Sequence, residues 1–526
     1  MRKPSSLLAL ALAAAVSLPA LAADDAKTAT PLVNPPDSTT QGVLNAGSEH
    51  IDYTAVAGTI TVGATEDQDA EIGPDGKPLP GSPASLEKDP KDALPTASMF
   101  YVAYFKKGAD STTRPITFLY NGGPGSSTVW LHMGAFGPKR VATPGDTHLP
   151  AAPYRLQDNP YSLLDVSDLV FIDAPGTGFS RLYGKDPTKA FFGVEEDGHA
   201  FARFIARFLG KYNRWNSPKY LFGESYGTTR SAVLSNILEN EKDIDLNGVM
   251  LLSQIFNFNS DIDGARYNPG IDLPYETGLP TYAATAWYHH KLPNQPAELL
   301  PFLKQVETFA MGDYTHALQQ GTDLSQADKQ AVAEKLHEYT GLPVDYLVRA
   351  DLRVSGPDFE KNLQLGEELN TGRLDTRFSG PPLNPLSEGS EYDPQSSAIS
   401  SAYVALFNNY IRQDLKYGNG LTYKPEINPE PWDMKFHQNV TEELATAMKT
   451  NPKLKVMVNG GYYDLATPFY AAEYEDKHLP IPDSLAKNIQ YDWYQSGHMV
   501  YVREQSLEKL HANVVAFIES TDKGNM

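Results

Sequence analysis

Cysteine is absent from the 526-residue sequence. Its absence excludes disulfide bonds, thiolate zinc sites, iron–sulfur clusters and a cysteine nucleophile. The helix motif H-E-x-x-H, which binds catalytic zinc, is also missing. We therefore expect neither a metal nor another cofactor, and packing alone has to stabilise the fold.

Basic residues and long apolar runs are also scarce. The chain has 44 Lys plus Arg against 65 Asp plus Glu, a formal net charge of −21. Nucleic-acid binding requires a basic face, so we expect no nucleic-acid partner. Beyond residue 22 no stretch is apolar over the roughly 18 residues that a membrane span needs, which predicts no stable membrane insertion. No pattern indicates an oligomeric state.

The first 22 residues have the pattern of a secretory signal peptide. Arg2 and Lys3 precede an apolar run over residues 7–18, and residues 20–22 fit the small-x-small pattern of a cleavage site. The run is too short to cross a bilayer. We expect an exported protein, periplasmic or secreted, that is soluble once residues 1–22 are removed.

Residues 23–95 precede the first regular pattern. They are rich in Asp, Pro, Gly and Thr, which predicts a loop-rich N-terminal region. β-Branched and aromatic residues, which favour strands, cluster at 50–61 and 100–106. We expect a hairpin arm at the first position and a strand at the second.

From Ile116 onward, short apolar runs alternate with helical spacing, which predicts alternating strands and helices. This alternation indicates an α/β fold with a mostly parallel central sheet and helices on both faces. A long segment at 266–423 has its own helices, such as 325–339, and we interpret it as a cap inserted over one edge of the sheet. The predicted core is split around it into 96–265 and 424–526. The predicted strands span 116–120, 169–173, 220–222, 249–252, 455–458 and 489–493, and the predicted helices span 194–212, 230–241 and 503–519.

The segment Gly223-Glu224-Ser225-Tyr226-Gly227 has the G-x-S-x-G form of a nucleophile elbow. A serine on a sharp strand-to-helix turn needs small residues two positions away on each side, so that a strained backbone can expose its hydroxyl. The motif follows a predicted strand and begins a predicted helix. Ser225 is therefore the candidate nucleophile.

A serine nucleophile needs a base and an acid that orients the base. In this type of sheet the chain order is serine, acid and histidine, with the last two on loops after later strands. Asp464 follows the predicted strand at 455–458, and His498 follows the one at 489–493. We expect His498 to act as the base and Asp464 to orient it.

A glycine run, Asn121-Gly122-Gly123-Pro124-Gly125, directly follows the predicted strand at 116–120. Glycines without side chains let backbone N–H groups approach a ligand closely. The run indicates an oxyanion hole, and an ordinary strand-to-loop turn is the alternative.

Five motifs occur in the order that is typical of serine carboxypeptidases. They are Asn-Gly-Gly-Pro-Gly at 121–125, Pro-Gly-Thr-Gly-Phe-Ser at 175–180, Gly-Glu-Ser-Tyr-Gly at 223–227, Gly-Tyr-Tyr-Asp at 461–464 and Gly-His-Met-Val at 497–500. The chain thus resembles a bacterial-type member of the serine carboxypeptidase family. The resemblance implies an α/β-hydrolase fold with an inserted cap, and removal of C-terminal residues from peptide substrates.

The resemblance also implies the roles of the catalytic groups. Ser225 is the nucleophile, His498 the general base and acid, and Asp464 the carboxylate that fixes the tautomer of the imidazole. The oxyanion donors are then the backbone N–H groups of Gly123 and Tyr226. Loss of one such donor typically lowers the rate by roughly 10²–10³-fold.

A site for the terminal carboxylate of the peptide is implied in the same way. It would consist of Asn121, Gly122 and Glu224. Two carboxylates repel each other, so Glu224 can bind this group only when it is protonated. This predicts that peptidase activity is highest at acidic pH.

Four positions depart from the family pattern. Ala135 stands where the family usually has a glutamate paired with the elbow glutamate, Leu119 stands for Trp, Ser126 for Cys and Tyr501 for Pro. The changes at Ala135 and Leu119 keep a second function open, ester hydrolysis or acyl transfer on the same scaffold. A third alternative is a binding or scaffolding protein that retains the fold. The presence of Ser, Asp and His together argues against it, because folding alone does not require all three.

Overall fold

The computed structural model describes residues 35–46, 49–82, 93–434 and 438–522. The predicted signal peptide at 1–22 lies outside these ranges. Within them, no helix combines the length and the apolar character needed to cross a membrane.

The described residues form fourteen strands and fifteen α-helices. The strands are β1 (Ser38–Ala46), β2 (Glu49–Gly63), β3 (Thr96–Lys106), β4 (Ile116–Tyr120), β5 (Lys139–Val141), β6 (Leu156–Asp158), β7 (Asp168–Ile172), β8 (Arg181–Tyr183), β9 (Lys219–Glu224), β10 (Gly248–Leu252), β11 (Asn370–Thr371), β12 (Ser379–Gly380), β13 (Lys455–Gly461) and β14 (Ile489–Tyr494). The helices are α1 (Glu66–Glu71), α2 (Pro187–Phe191), α3 (Val194–Tyr212), α4 (Tyr226–Glu241), α5 (Leu273–Tyr288), α6 (Leu299–Phe309), α7 (Thr315–Gln320), α8 (Gln326–Thr340), α9 (Val344–Arg349), α10 (Gly356–Asn362), α11 (Pro394–Gln413), α12 (Thr441–Thr450), α13 (Phe469–Lys477), α14 (Asp483–Ala486) and α15 (Glu504–Asp522).

One large sheet lies at the centre, in the order β1-β2-β3-β7-β4-β9-β10-β13-β14, with β8 paired to β3. The strands from β1 to β7 in this order pair antiparallel, and those from β7 to β14 pair parallel. Two small hairpins, β5–β6 and β11–β12, lie apart from it. Because parallel strands share one direction, their carboxyl ends meet at the same edge of the sheet, where ligands bind in open α/β sheets.

Helices cover both faces of this sheet. Side chains of α3, α4 and α12 form a hydrophobic cluster with one face, and those of α11 and α15 form a second cluster with the other face. The predicted mostly parallel sheet with helices on both faces is confirmed. Its central strands β4, β7, β9 and β10 consist wholly of buried residues, which is why short apolar runs reveal them in the sequence.

The N-terminal region differs from the loop-rich prediction. β1 and β2 form a long antiparallel hairpin that extends the sheet beyond β3, with Ser38 opposite Ala57. The predicted arm at 50–61 lies inside β2. β1 lacks a sequence signal because it is an edge strand in which most residues are exposed or half-buried, and backbone pairing holds it in place.

The inserted segment is joined to the sheet more closely than predicted. Helices α5 to α10 share a hydrophobic cluster that includes Leu279 and Phe359, and Phe469 of α13 belongs to the same cluster. α11 instead packs side chains such as Ile399 into a cluster with the sheet. Helix α11 thus contributes to the helical layer on one face of the sheet, and the interpretation of 266–423 as a cap over one edge stays a prediction. The boundaries of the predicted segments stay a prediction.

Candidate active site

Ser225 lies on the turn between β9 and α4, with φ 61° and ψ −131°. This backbone region is sterically disfavoured for a residue with a side chain. A Cβ at Gly223 would collide with the carbonyl oxygen of Gly227, so the glycine lets the helix approach the strand closely. Ser225 is the N-cap residue of α4, yet its side chain makes no capping hydrogen bond. Its hydroxyl is therefore not used to hold the helix.

His498 and Asp464 form a buried pair on the loops that follow β14 and β13. Nδ1 of His498 lies 2.8 Å from Oδ2 of Asp464. Asp464 is 0% exposed and His498 is 4% exposed. His498 and Ser225 line one cavity. The structure thus brings the three predicted triad residues together at the carboxyl ends of parallel strands.

The pKa of His498 reflects burial and the charges around it. Burial alone would lower this pKa. The charge of Asp464 and its hydrogen bond, together with the charge of Glu224, outweigh burial and hold the pKa above its ordinary value of 6.5. The positive charge of Arg373 acts in the opposite direction. The carboxylates therefore favour His498 as a proton acceptor.

Thr467 is bonded to the pair and was not identified from the sequence. Its Oγ1 donates to Oδ2 of Asp464 at 2.7 Å, and its backbone N–H donates to Oδ1 at 3.0 Å. The same hydroxyl lies 3.2 Å from Nδ1 of His498. The spacing Asp-x-x-Thr just before a helix is the signal that indicates it, because an aspartate commonly accepts from the N–H three residues later.

A part of the insertion, residues 373–377, holds the histidine loop. The N–H of His498 donates to the carbonyl oxygen of Leu374 at 2.7 Å. The N–H of Gly497 donates to Oδ2 of Asp375 at 3.2 Å. A Cβ at Gly497 would collide with the side chain of Asp375, so glycine is required for this approach. The position of His498 thus depends on the inserted segment.

The predicted oxyanion donors lie beside Ser225. Tyr226 is the first residue of α4, so its N–H has no carbonyl partner within the helix. Gly122 packs directly on this first turn, because a Cβ there would lie 2.7 Å from Cα of Tyr226 and 2.5 Å from N of Gly227. Gly123 follows with φ 105°, which glycine adopts without steric cost. The glycine run and the N-terminus of α4 therefore lie side by side.

Arg230 fixes the loop after β4 to α4 and was also missed. Its Nε donates to Oδ2 of Asp197 at 2.6 Å, and its Nη1 donates to the carbonyl oxygen of Asn121 at 2.8 Å. Its guanidinium carbon lies 4.3 Å from the ring centre of Phe201. These partners are 33 and 109 residues away in sequence, so no local pattern indicates them.

Glu224 lies buried near the triad and accepts a hydrogen bond from Tyr501. Oη of Tyr501 lies 2.9 Å from Oε2 of Glu224. Burial raises the pKa of Glu224 to about 7. The charge of His498 and the hydrogen bonds of Tyr501 and Asn121 lower it, but by less. Oδ1 of Asn121 accepts from the N–H of Leu131 at 3.0 Å, which leaves the amide nitrogen as the donor toward Glu224. Glu224 is therefore largely protonated in acidic solution.

Tyr501, one departure from the family pattern, packs against Gly134, the residue before another departure, Ala135. The ring of Tyr501 packs on Gly134, where a Cβ would lie 2.6 Å from ring atoms. The hydroxyl oxygen of Tyr403 lies against the same glycine, 2.7 Å from that position. Tyr501 is thus the buried hydrogen-bond partner of Glu224. The family pattern instead has a glutamate partner at the position of Ala135.

A family model described as serine carboxypeptidase matches residues 91–511. The chain belongs to the serine carboxypeptidase family. Among curated relatives, serine carboxypeptidase-like 36 of Arabidopsis thaliana is 26% identical over 162 residues, which are 30% of this chain and 32% of the relative. Serine carboxypeptidase-like 33 of the same plant is 28% identical over 202 residues, 37% of each chain. The match therefore spans only about a third of the length of these curated relatives.

A solved structure similar to this serine carboxypeptidase family member is Kex1Δp, a prohormone-processing carboxypeptidase from Saccharomyces cerevisiae. The TM-score is 0.51 at 14% sequence identity, and the similarity covers 88% of this chain and 91% of that one. At this identity the likeness concerns the fold. Together with the sheet topology, it confirms the expected α/β-hydrolase fold.

A cavity of about 210 Å³ opens beside Ser225 and His498 in this family member. The three residues expected to bind a terminal carboxylate, Asn121, Gly122 and Glu224, line it. Its wall contains further residues that no motif in the sequence indicates, including Trp130, Arg373, Gln395, Ser396, Ser400 and Glu426. Four of these six belong to the insertion, and their approach to Ser225 depends on how that segment folds.

Proposed function

We propose that this serine carboxypeptidase family member hydrolyses the last bond of peptides through an acyl-enzyme on Ser225. His498 accepts the hydroxyl proton as the serine oxygen attacks the carbonyl carbon. Asp464, 2.8 Å from Nδ1, keeps Nε2 as the basic nitrogen. Protonated His498 then donates to the leaving amine. Water, activated by the same histidine, releases the shortened peptide.

In the same proposal, the backbone N–H groups of Gly123 and Tyr226 bind the substrate oxygen as it becomes negative. Donors that are in place before the reaction cost no reorganisation when the charge develops. The close packing of Gly122 on the first turn of α4 supports this arrangement. The positive end of the α4 dipole adds to the stabilisation.

The proposal of an exopeptidase rests mainly on Glu224, a buried acid that lines the cavity beside Ser225. When protonated, it donates a hydrogen bond to the C-terminal carboxylate, with Asn121 and Gly122 beside it. Its pKa of about 7 allows this in acidic and near-neutral solution. An esterase or acyltransferase whose substrate has no carboxylate gains nothing from such an acid, so we favour peptide C-termini as the substrate.

The test compares peptides that differ only at the C-terminus. The purified protein is incubated with an unblocked peptide and with its C-terminal amide, from acidic to mildly alkaline pH, and product masses are followed. We expect stepwise loss of single residues from the unblocked peptide alone. Ester turnover without trimming of either peptide would contradict the proposal and favour the esterase or acyltransferase alternative.

Two serine variants separate the nucleophile from a structural serine. Ser225→Ala removes the proposed nucleophile and should abolish trimming and labelling by a fluorophosphonate. Ser235→Ala is the matched control, since Ser235 is buried in the same helix and donates to the carbonyl oxygen of Ser231 at 2.6 Å. It should keep both activities.

We also propose that the enzyme is exported and acts in the periplasm or outside the cell. The basic start, short apolar run and cleavage pattern within residues 1–22 support this. N-terminal sequencing of the mature protein from the producing cell should begin at Ala23. A mature protein that retains Met1 would contradict it.

A further inference from the structure

Arg373 places a positive charge in the wall of the active-site cavity. It lines the cavity together with Ser225 and His498. Its Nε donates to Oδ2 of Asp263. Among the residues that the structure describes, Nη1 and Nη2 have no hydrogen-bond partner, and the side chain is 42% exposed. The two terminal nitrogens are therefore not bonded to a described protein group, while the charges of Asp263, Asp261 and Glu360 act on the guanidinium from the protein side.

The backbone at Arg373 is fixed relative to the triad. The N–H groups of Arg373 and Leu374 both donate to Oδ2 of Asp393, at 2.7 Å and 2.9 Å. The carbonyl oxygen of Leu374 in turn accepts from the N–H of His498. A cation that is held in place before binding loses less conformational entropy when a ligand binds. A larger part of the interaction energy therefore contributes to the binding affinity.

Polar groups from α11 line the same cavity, among them Gln395, Ser396 and Ser400. Gln395 is 1% exposed, and its Oε1 lacks a hydrogen-bond partner in the described part of the chain. Its Nε2 donates to Sδ of Met499 at 3.3 Å, and a thioether is a weak acceptor. A buried amide with unmet hydrogen bonds favours a polar ligand over an apolar one.

We infer that this cavity takes the side chain of the peptide's C-terminal residue and that Arg373 makes it selective for Asp and Glu. The inference rests on the proposed function, because the groups proposed to bind the terminal carboxylate line the same cavity. The residue that carries this carboxylate then has its side chain within the same small volume. The two terminal nitrogens of an arginine match the two oxygens of a carboxylate in a bidentate pair.

Glu426 also lines the cavity and provides an opposing charge. When ionised, it repels an acidic substrate side chain, since like charges in a poorly solvated site disfavour each other. Replacing it by glutamine removes the repulsion and keeps the shape. Glu426→Gln should therefore strengthen the preference for acidic residues, the opposite of the effect expected at Arg373.

The test measures kcat/KM for pairs of unblocked peptides. One pair differs only in Glu or Gln at the last residue, and a second pair differs in the same way at the residue before it. The wild-type protein should prefer Glu at the last residue by about tenfold, as expected for one charge-assisted hydrogen-bonded pair. Arg373→Gln should bring this ratio to about one. Arg373→Lys keeps the positive charge but cannot form the bidentate pair of a guanidinium, so it should retain part of the preference.

Arg353→Gln is the matched control. Arg353 also lies in the insertion and pairs with Asp272, through Nε at 2.7 Å and Nη2 at 2.9 Å. It is not among the described residues that line this cavity. Its variant should therefore keep the wild-type ratio. If Arg373→Gln fails to fold, Arg373→Lys and Glu426→Gln still test the inference, because they change the ratio in opposite directions.

Three results would overturn the inference. They are a wild-type ratio near one, a preference for Glu confined to the residue before the last, and an equal loss of activity on both peptides in Arg373→Gln. The last result would mean that Arg373 binds the main-chain carboxylate instead. Turnover of the peptide that ends in Gln reports the proposed function separately, so failure of that function is distinguished from an altered ratio.

Discussion

The hydroxyl of Tyr501 donates a hydrogen bond of 2.9 Å to Oε2 of Glu224, across 277 residues of sequence. Both side chains are buried. A donor here stabilises the ionised carboxylate, whereas burial destabilises it, and the balance leaves the pKa of Glu224 at about 7. Tyr501 thus helps to set the pH at which Glu224 ionises, and with it the pH range in which Glu224 can act as the proposed donor to a substrate carboxylate.

Tyr501→Phe removes this donor and keeps the ring. The pKa of Glu224 should then rise further, because the ionised form loses a hydrogen bond while burial remains. We expect the decline of kcat/KM for an unblocked peptide at alkaline pH to move to higher pH. The free energy of unfolding should fall by about 1 kcal/mol. Tyr403→Phe changes the same aromatic cluster and should leave the decline in place, and an identical decline in Tyr501→Phe would contradict the role of Tyr501.

Glu224→Gln should extend peptide hydrolysis toward neutral and alkaline pH. An amide donates to the substrate carboxylate without a proton, so the alkaline decline governed by the pKa of about 7 should disappear. Rate profiles with an unblocked peptide measure this. An ester substrate without a carboxylate serves as the control, because Glu224 should cause no alkaline decline with this substrate in either protein. Retention of the wild-type decline by the variant would exclude Glu224 as the carboxylate-binding group.

The same Glu224→Gln variant should also change how stability depends on pH. Folding raises the pKa of Glu224 from its ordinary value of 4.5 to about 7, so the folded state binds more protons between these values. In the wild type, protonated Glu224 makes its full contribution to the free energy of unfolding below pH 4.5. This contribution is lost as the pH rises through the folded-state pKa of about 7. Denaturant unfolding should therefore show the variant gaining roughly 3 kcal/mol relative to the wild type across this window.

Thr467→Val should weaken the orientation of the base. The hydroxyl of Thr467 donates to Oδ2 of Asp464 at 2.7 Å, and a hydrogen bond to a charged group contributes about 1.5–3 kcal/mol. We expect kcat/KM to fall by about tenfold. The acidic limb of the rate profile should move to higher pH, because Asp464 then interacts more strongly with protonated His498.

Thr340→Val is the control for this change. Thr340 is a buried threonine of α8 whose hydroxyl donates to the carbonyl oxygen of Leu336 at 2.8 Å. Its replacement should lower stability without moving the rate profile. A rate profile of Thr467→Val that matches this control would show that the hydroxyl has only a structural role.

Gly122→Ala should damage the oxyanion hole. The added Cβ would lie 2.7 Å from Cα of Tyr226, so the first turn of α4 would have to move. We expect kcat to fall by roughly 10²–10³-fold, the usual effect of losing one oxyanion donor. Gly366→Ala, at a glycine with no atom within 4 Å of the added Cβ, should have wild-type activity. Near-normal kcat in Gly122→Ala would contradict the proposed donor at Tyr226.

The central sheet was predictable, and a candidate triad could be proposed, because their signals are local. Buried strands appear as short apolar runs, and the chain order of serine, acid and histidine places their loops at the ends of β9, β13 and β14. Ser225, Asp464 and His498 could therefore be named as candidates one at a time. Strand β1 could not be predicted in this way. It is an edge strand held by backbone pairing, and such a strand has little hydrophobic pattern in its side chains.

The remainder of the site depends on contacts between distant parts of the chain. Nothing around Tyr501 indicates that its hydroxyl reaches Glu224, because that contact forms only when the end of β9 and the segment after β14 pack together. Arg373 likewise approaches His498 only after the insertion has folded. In the sequence Ala135 and Tyr501 are two separate departures, and only the structure shows that Tyr501 packs against Gly134, the residue before Ala135.

Residues 373–377 connect the insertion to the loop that carries His498, through Leu374 and Asp375. For protein engineering, this means that the insertion is not an exchangeable module. A chimaera that takes 266–423 whole from a relative would have to preserve both contacts, or its His498 would lose its support. Grafts that end before Arg373 avoid this problem. Natural divergence of substrate preference should follow the same boundary, with this short stretch changing more slowly than the helices before it.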